Sequence, residues 1–136
     1  METKSNEGTP QRPQGERILD GSMVTMDLNF FINQVQNEAA WKETDRNAVT
    51  IFKSATMRIV LLGLHQNAAL KTHTANGIIS IQLLEGKINF SAQEQTVTLQ
   101  KNQMIALHEN IPHSVVALED SFFLLTLSMH NKKESL

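Results

Sequence analysis

The sequence predicts an all-β protein, an antiparallel jelly-roll β-barrel over residues 48–130 with a short N-terminal helix in front of it. Three observations support this fold class. The period of the apolar residues changes from about 3.6 to about 2 near residue 48. Short apolar runs with polar turns then follow one another at regular spacing. The runs are too close together for crossover helices, so we expect the strands to be antiparallel.

Composition limits the classes of protein to which the chain can belong. The 136 residues favour one domain with a sizeable core. Twelve basic and fourteen acidic residues give a net charge of −2 without a basic patch, which argues against a nucleic-acid partner. The absence of cysteine excludes disulfides, zinc–thiolate sites and thiol nucleophiles, and it fits a cytoplasmic protein. Neither a signal peptide nor a membrane span is predicted, because no long apolar segment occurs.

The first 47 residues divide into a polar tail and a helical segment. Residues 1–17 hold two of the three prolines and are predicted to be disordered, because they cannot bury enough apolar surface. Residues 18–47 are predicted to pack on the barrel through a helix near 29–40. Asp27 can cap this helix, and Trp41 is expected to anchor its far end. The apolar stripe that predicts the helix consists of Leu28, Phe31, Ile32, Val35 and Ala39.

The rest of the chain is predicted to alternate between strands and tight turns, up to a polar tail over residues 131–136. Gly86 closes a hairpin turn that needs a positive φ. No glycine follows Gly86, and we expect Asn67, Asn102 and Asn110 to occupy left-handed turn positions instead. The predicted strands are 50–53, 57–64, 78–84, 87–91, 95–99, 103–107, 113–118 and 122–129.

Two of these strands, 57–64 and 122–129, are apolar on both faces, apart from Arg58 in the first and Thr126 in the stretch from Phe122 to Leu127. A strand with one face in water would alternate between polar and apolar residues. We therefore expect both faces to be covered, either by the helix or by a second subunit. Because two-fold pairing is the commonest form of oligomer, the sequence predicts a homodimer.

Two histidine-bearing segments resemble the paired motifs of the cupin superfamily, G-x5-H-x-H-x3-4-E-x6-G and G-x5-P-x-G-x2-H-x3-N, over roughly residues 48–129. Gly86 matches the closing glycine of the first motif, and His73 matches its second histidine with a spacing one residue longer. His113 matches the histidine of the second motif. The departures from the motifs are Lys71 for the first histidine, Ile79 for the glutamate, Asn110 for a glycine, His108 for the proline and Ala117 for the final asparagine.

The resemblance implies a site at the mouth of the barrel, with the side chains of His73 and His113 within about 6 Å of one another. Neutral imidazole both donates and accepts hydrogen bonds, so this pair can orient a polar ligand group without a metal. If zinc, iron, manganese or nickel binds, these two residues are expected to hold it weakly, with water in the other positions. The expected apolar walls of the site are Ile79, Ile81, Leu83, Ile105 and Val115.

Two classes of function stay open on the sequence. The first is a cupin-fold protein with a small-molecule binding pocket, and the second is a metal-dependent cupin enzyme of the dioxygenase or isomerase type. The fold alone does not choose between an enzyme and a binding protein. Two of the four metal-ligand positions carry Lys71 and Ile79, which weakens the second class.

Overall fold

A computed structural model of the chain describes residues 5–6 and 17–130, and it confirms a mainly antiparallel β fold. The predicted tail over 131–136 and most of the predicted tail over 1–17 lie outside these residues. In chain order the elements are β1 (Ser5–Asn6), β2 (Arg17–Ile18), α1 (Leu28–Asn37), α2 (Ala39–Glu43), β3 (Arg46–Lys53), β4 (Met57–Leu64), β5 (Ala69–His73), β6 (Gly77–Glu85), β7 (Lys87–Ala92), β8 (Gln95–Gln100), β9 (Met104–Leu107), β10 (His113–Ala117) and β11 (Ser121–Met129).

The long strands form two antiparallel sheets. The five-stranded sheet has the order β3-β4-β11-β6-β9, and the four-stranded sheet has the order β5-β10-β7-β8. The short strands β1 and β2 pair only with each other. In the described part of the chain the two sheets stay separate. The predicted jelly-roll β-barrel is therefore observed as a jelly roll of two sheets that do not close into a barrel.

The main core lies between the two sheets. Phe90 from the four-stranded sheet and Phe123 from the five-stranded sheet are almost fully buried there. Alternation along the strands supplies most of the other members, because every second side chain points to the same face. These other buried residues are Leu64, Ala68, Ile81, Leu83, Ile88, Leu99, Val115 and Ala117.

The N-terminal helical segment covers the outer face of the five-stranded sheet. The Asp27 side chain accepts a hydrogen bond from the Phe30 N–H at 3.2 Å, which confirms the predicted cap. Ile32 and Val35 are buried against the sheet, and Trp41 packs into the same cluster. No helix among residues 17–130 is long and apolar enough to cross a membrane.

One helix was predicted near 29–40, and the structure has two. The backbone leaves the helical conformation at Glu38, with φ −85° and ψ 153°, between α1 and α2. Glu38 is buried, and its Oε1 accepts a hydrogen bond from the Asn47 side chain at 2.9 Å. The Asn47 amide also donates to the Val35 carbonyl at 3.0 Å, so the break is fixed by β3.

The strands that are apolar on both faces, β4 and β11, are covered on both faces within one chain. Leu61 and Phe122 pack against the helices, whereas Leu64 and Phe123 face the four-stranded sheet. The helix was one of the two covers predicted for these strands. The second cover, another subunit, stays a prediction.

The turns use the predicted residues. Gly86 has φ 94°, and Asn67, Asn102 and Asn110 have φ of 73°, 69° and 61°. All four lie in the left-handed region, which confirms the turn assignment. The predicted turn between β7 and β8 is present, but the positive φ of its residues Gln93 and Glu94 was not predicted.

Candidate functional site

Two neighbouring strands bring the two predicted histidines together. His73 is the last residue of β5, and His113 is the first residue of β10. The strands are antiparallel and adjacent in the four-stranded sheet, with His113 directly opposite His73. Forty residues of sequence therefore separate two side chains that share one end of the jelly roll.

The imidazole rings are close, and their surroundings differ. Their centroids lie 4.3 Å apart with 58° between the ring planes, which confirms the predicted approach within about 6 Å. His113 is 4% exposed and stacks on Phe90 at a centroid distance of 5.6 Å. His73 is exposed. One ring of the pair is therefore buried in the core, and the other ring is exposed to solvent.

The hydrogen bonds of the two histidines fix their tautomers. Nδ1 of His73 lies 2.7 Å from the Lys71 carbonyl oxygen, and Nδ1 of His113 lies 3.0 Å from the Ile111 carbonyl oxygen. A carbonyl oxygen only accepts, so each Nδ1 carries the proton and donates it. In the neutral rings, Nε2 then presents its lone pair as an acceptor.

A cavity of about 470 Å³ opens beside His73. It lies between the β5 edge of the four-stranded sheet and the β3–β4 side of the five-stranded sheet. Its apolar lining comes from Leu62, Leu70, Ala69 and Leu125, and its polar lining comes from Arg46, Lys71 and His73. A volume of this size fits a small organic molecule.

The walls predicted from the sequence do not line this cavity. The residues predicted as walls all lie in strands: Ile79, Ile81, Leu83, Ile105 and Val115. Ile105 is partly buried against the main core, and the other four are at most 3% exposed. They contribute to packing between the sheets. The cavity instead uses Leu62 and Leu125, which belong to the strands that are apolar on both faces, together with Leu70 from a strand the sequence did not reveal.

The residues at this site do not fit a tightly held metal. A catalytic zinc ion takes three protein ligands, with water in the remaining position. Among residues 17–130 no group of three or more histidine, aspartate or glutamate side chains is placed to hold an ion. Lys71 and Ile79 occupy the two ligand positions that the motif leaves unfilled. Ile79 is buried and has no ligand atom, and the ammonium group of Lys71 in the cavity lining has no lone pair, so neither residue supplies a ligand.

Two further histidines have other contacts. His65 stacks on Trp41 at a centroid distance of 3.6 Å, and its Nε2 donates to the Trp41 carbonyl at 2.7 Å. His130 lies 3.2 Å from Glu109 and is well exposed. Neither residue lines the cavity beside His73. His65 therefore joins α2 to the end of β4, and we give it a structural role.

Several of the solved structures that share this architecture are named as cupins. A conserved protein of unknown function from Streptococcus pyogenes matches with a TM-score of 0.66 and 18% identity, over 83% of this chain and 92% of that chain. A cupin-2 domain protein from Shewanella frigidimarina matches with a TM-score of 0.62 and 13% identity, over 76% and 94% of the two chains. A salicylate 1,2-dioxygenase from Pseudaminobacter salicylatoxidans matches with a TM-score of 0.57 and 17% identity, over 62% of this chain and 26% of the enzyme.

Sequence comparison adds nothing to the structural match. No protein-family model matches the chain, and no curated protein matches it. The identities to the solved structures are low, so the likeness concerns the arrangement of strands. A further cupin superfamily protein, from Desulfitobacterium hafniense, matches with a TM-score of 0.61 and 12% identity, over 62% of this chain and 78% of that chain. This chain is therefore a small protein with the cupin fold.

Proposed function

We propose that the chain is a small-molecule-binding protein whose site lies where His73 and His113 meet. The observation that supports this proposal is the pair of rings, 4.3 Å apart, each held by a hydrogen bond from its Nδ1 to a backbone carbonyl. Such bonds set the orientation of a ring before any ligand arrives, and preorganised polar groups lower the cost of binding.

The site combines two kinds of contact. The lone pairs on Nε2 of the two rings can accept hydrogen bonds from a ligand N–H or O–H group. Leu62, Leu70 and Leu125 offer an apolar surface beside His73. A mostly apolar pocket with a few fixed polar groups is the usual form of a small-molecule site. The proposed ligand therefore has an apolar body and at least one polar hydrogen.

Replacing either histidine by alanine is expected to weaken binding at the site strongly. A suitable probe is 2-naphthamide, which is uncharged, has an aromatic body and carries an amide that donates hydrogen bonds. Each variant loses one hydrogen bond between uncharged groups, together with the ring that orients the ligand. The affinity for the probe should therefore fall by about tenfold or more. Isothermal titration calorimetry would measure the affinity, and nitrogen NMR would report on both imidazole rings.

His108→Ala is the matched control, because His108 is exposed and is not among the lining residues. We expect His108→Ala to bind the probe as the unchanged protein does. Circular dichroism should show that both site variants keep the fold. Equal binding by all three variants, or ring resonances that do not move when the amide is added, would overturn the proposal.

A metal-dependent cupin enzyme of the dioxygenase or isomerase type is the second candidate. The two lone pairs on Nε2 support it, since neutral imidazole is a ligand for zinc, iron, manganese and nickel. The similarity to salicylate 1,2-dioxygenase also supports it, although it extends over only a quarter of that enzyme. Two histidines alone would hold a metal weakly. Metal analysis of protein purified without an affinity tag would separate the candidates, because a stoichiometric ion favours the enzyme.

A homodimer is also part of the proposal. Ile78 and Met104 are 47% and 58% exposed, and both lie on the outer face of the five-stranded sheet beyond the helices. A second subunit on this face would remove them from water. Light scattering at micromolar concentration is expected to give twice the chain mass, and a monomer mass would contradict it. The cytoplasmic location stays a prediction from the sequence.

A further inference from the structure

The cavity beside His73 has a lining of one charge sign. Arg46 and Lys71 are both basic, and none of the seven lining residues is acidic. The chain as a whole has a net charge of −2. The positive charge is therefore a local property of this cavity, and it bears on which ligands the cavity accepts.

Arg46 is balanced by its neighbour in sequence. Its Nε donates to Asp45 at 2.8 Å, and one terminal nitrogen donates to Asp45 at 3.2 Å. This hydrogen bonding lowers the pKa of Asp45 and raises the pKa of Arg46. The same terminal nitrogen donates to the Ala69 carbonyl at 2.8 Å and so ties β3 to β5. Arg46 thus shapes the cavity and adds little net charge.

Lys71 has no such balance. Among residues 17–130 no carboxylate lies within ion-pair distance of its side chain. Lys71 and His73 both line the cavity, and their spacing of two residues on β5 places both side chains on the same face of the strand. The cavity therefore has, beside His73, a cation with no ion-pair partner in the described part of the chain.

Arg58 adds a second unbalanced cation on the inner face of the five-stranded sheet. It lies four residues before Leu62 on β4, and even spacing in a strand places both side chains on the same face. Its Nε is buried, with no hydrogen-bond partner in the part of the chain that the structure describes. Lys53 lies directly opposite it on β3, so two like charges are neighbours there. An anion on this face would offset their repulsion.

We propose that the cavity selects an organic anion, with its apolar body on Leu62, Leu70 and Leu125, its carboxylate beside Lys71 and a polar hydrogen that it donates to a ring nitrogen. This inference rests on the proposed small-molecule function and names the chemical class of the ligand. Arg58 contributes through the positive potential that it adds to the same face of the sheet. A carboxylate both pairs with the lysine and accepts hydrogen bonds, whereas an uncharged group of the same shape does only the latter.

The test compares 3-hydroxy-2-naphthoate with 3-hydroxy-2-naphthamide, which share one apolar body and one hydroxyl donor and differ in charge. We expect the full-length protein to bind the acid about tenfold more tightly than the amide at low ionic strength. Lys71→Gln should lower the affinity for the acid much more than the affinity for the amide, and so remove most of this preference. High ionic strength should shrink the preference in the unchanged protein, because salt screens a partly exposed pair.

Lys101→Gln is the matched control, since it makes the same change of charge outside this cavity. It should keep the preference for the acid. Arg58→Met should reduce the affinity for the acid only and should not lower the melting temperature, because it removes an unpaired buried group. If the amide binds in a His73-dependent way but the acid binds no more tightly, the anion proposal is overturned and the proposed function stands. If neither probe binds, both are overturned.

Discussion

Replacing Phe123 by alanine is expected to lower the free energy of unfolding by about 3–5 kcal/mol. Phe123 is fully buried in the main core between the sheets. It lies on β11, where it is opposite Leu62 on one side and Leu83 on the other. Removing the ring would leave a cavity that all three strands border, and paired strands cannot easily move inward to fill it.

Phe30→Ala is the matched control for this substitution. Phe30 is on α1 and is 59% exposed, so the same change of side chain removes little packing. We expect a loss of less than about 1 kcal/mol for the control. Urea unfolding followed by circular dichroism would give both values. Similar losses for the two variants would show that Phe123 is not a central core residue.

Gly86→Ala is expected to lower the free energy of unfolding by about 2–5 kcal/mol, because the positive φ and a steric conflict both act against the added Cβ. Gly86 has φ 94° in the turn between β6 and β7. A Cβ added there would overlap the Asp120 carbonyl oxygen and the Ser121 Oγ, and it would lie 2.7 Å from the Ser121 Cα. Because two of these three atoms belong to the backbone, they cannot rotate away as a side chain could.

Comparison with asparagine separates the two causes. Asparagine tolerates a positive φ, but it still carries a Cβ. If the steric conflict dominates, Gly86→Asn should lose nearly as much stability as Gly86→Ala.

Asn102→Gly should be neutral or slightly stabilising, and Asn102→Val should lower the free energy of unfolding by on the order of 1–2 kcal/mol, because φ is 69° there. Thermal unfolding of the four variants tests this, and a stable Gly86→Asn would refute the conflict.

The glycine and asparagine turns show what the sequence could reveal about the fold. Positive φ is a local property, so the residue type at Asn67, Asn102 and Asn110 was enough to predict it. Alternation predicted most strands within a few residues for the same reason. The edge strand β5 was missed, because four of its five residues are exposed and only Leu70 is partly buried. A strand with so little burial has no apolar period.

The geometry of the candidate site was predictable in part. The prediction that the rings of His73 and His113 lie close together was correct, because it depended on motif positions that can be read directly from the sequence. The lining of the cavity was not predictable, because it depends on which strand of one sheet faces which strand of the other. The split of the helix at Glu38 likewise depends on a hydrogen bond to Asn47, a residue on β3. Contacts between separate elements leave no local pattern in the sequence.

The position of β11 has a consequence for how the protein is made. β11 comes after every other described strand in the sequence, yet it separates β4 from β6 in the middle of the five-stranded sheet. During synthesis, the β3–β4 hairpin and the β6–β9 pair emerge from the ribosome with their inner edges unpaired. The sheet is completed only when residues 121–129 emerge and insert between them. Until then the inner edges of β4 and β6 are unpaired in the nascent chain. Chaperones bind such unpaired edges, and aggregation can begin at them.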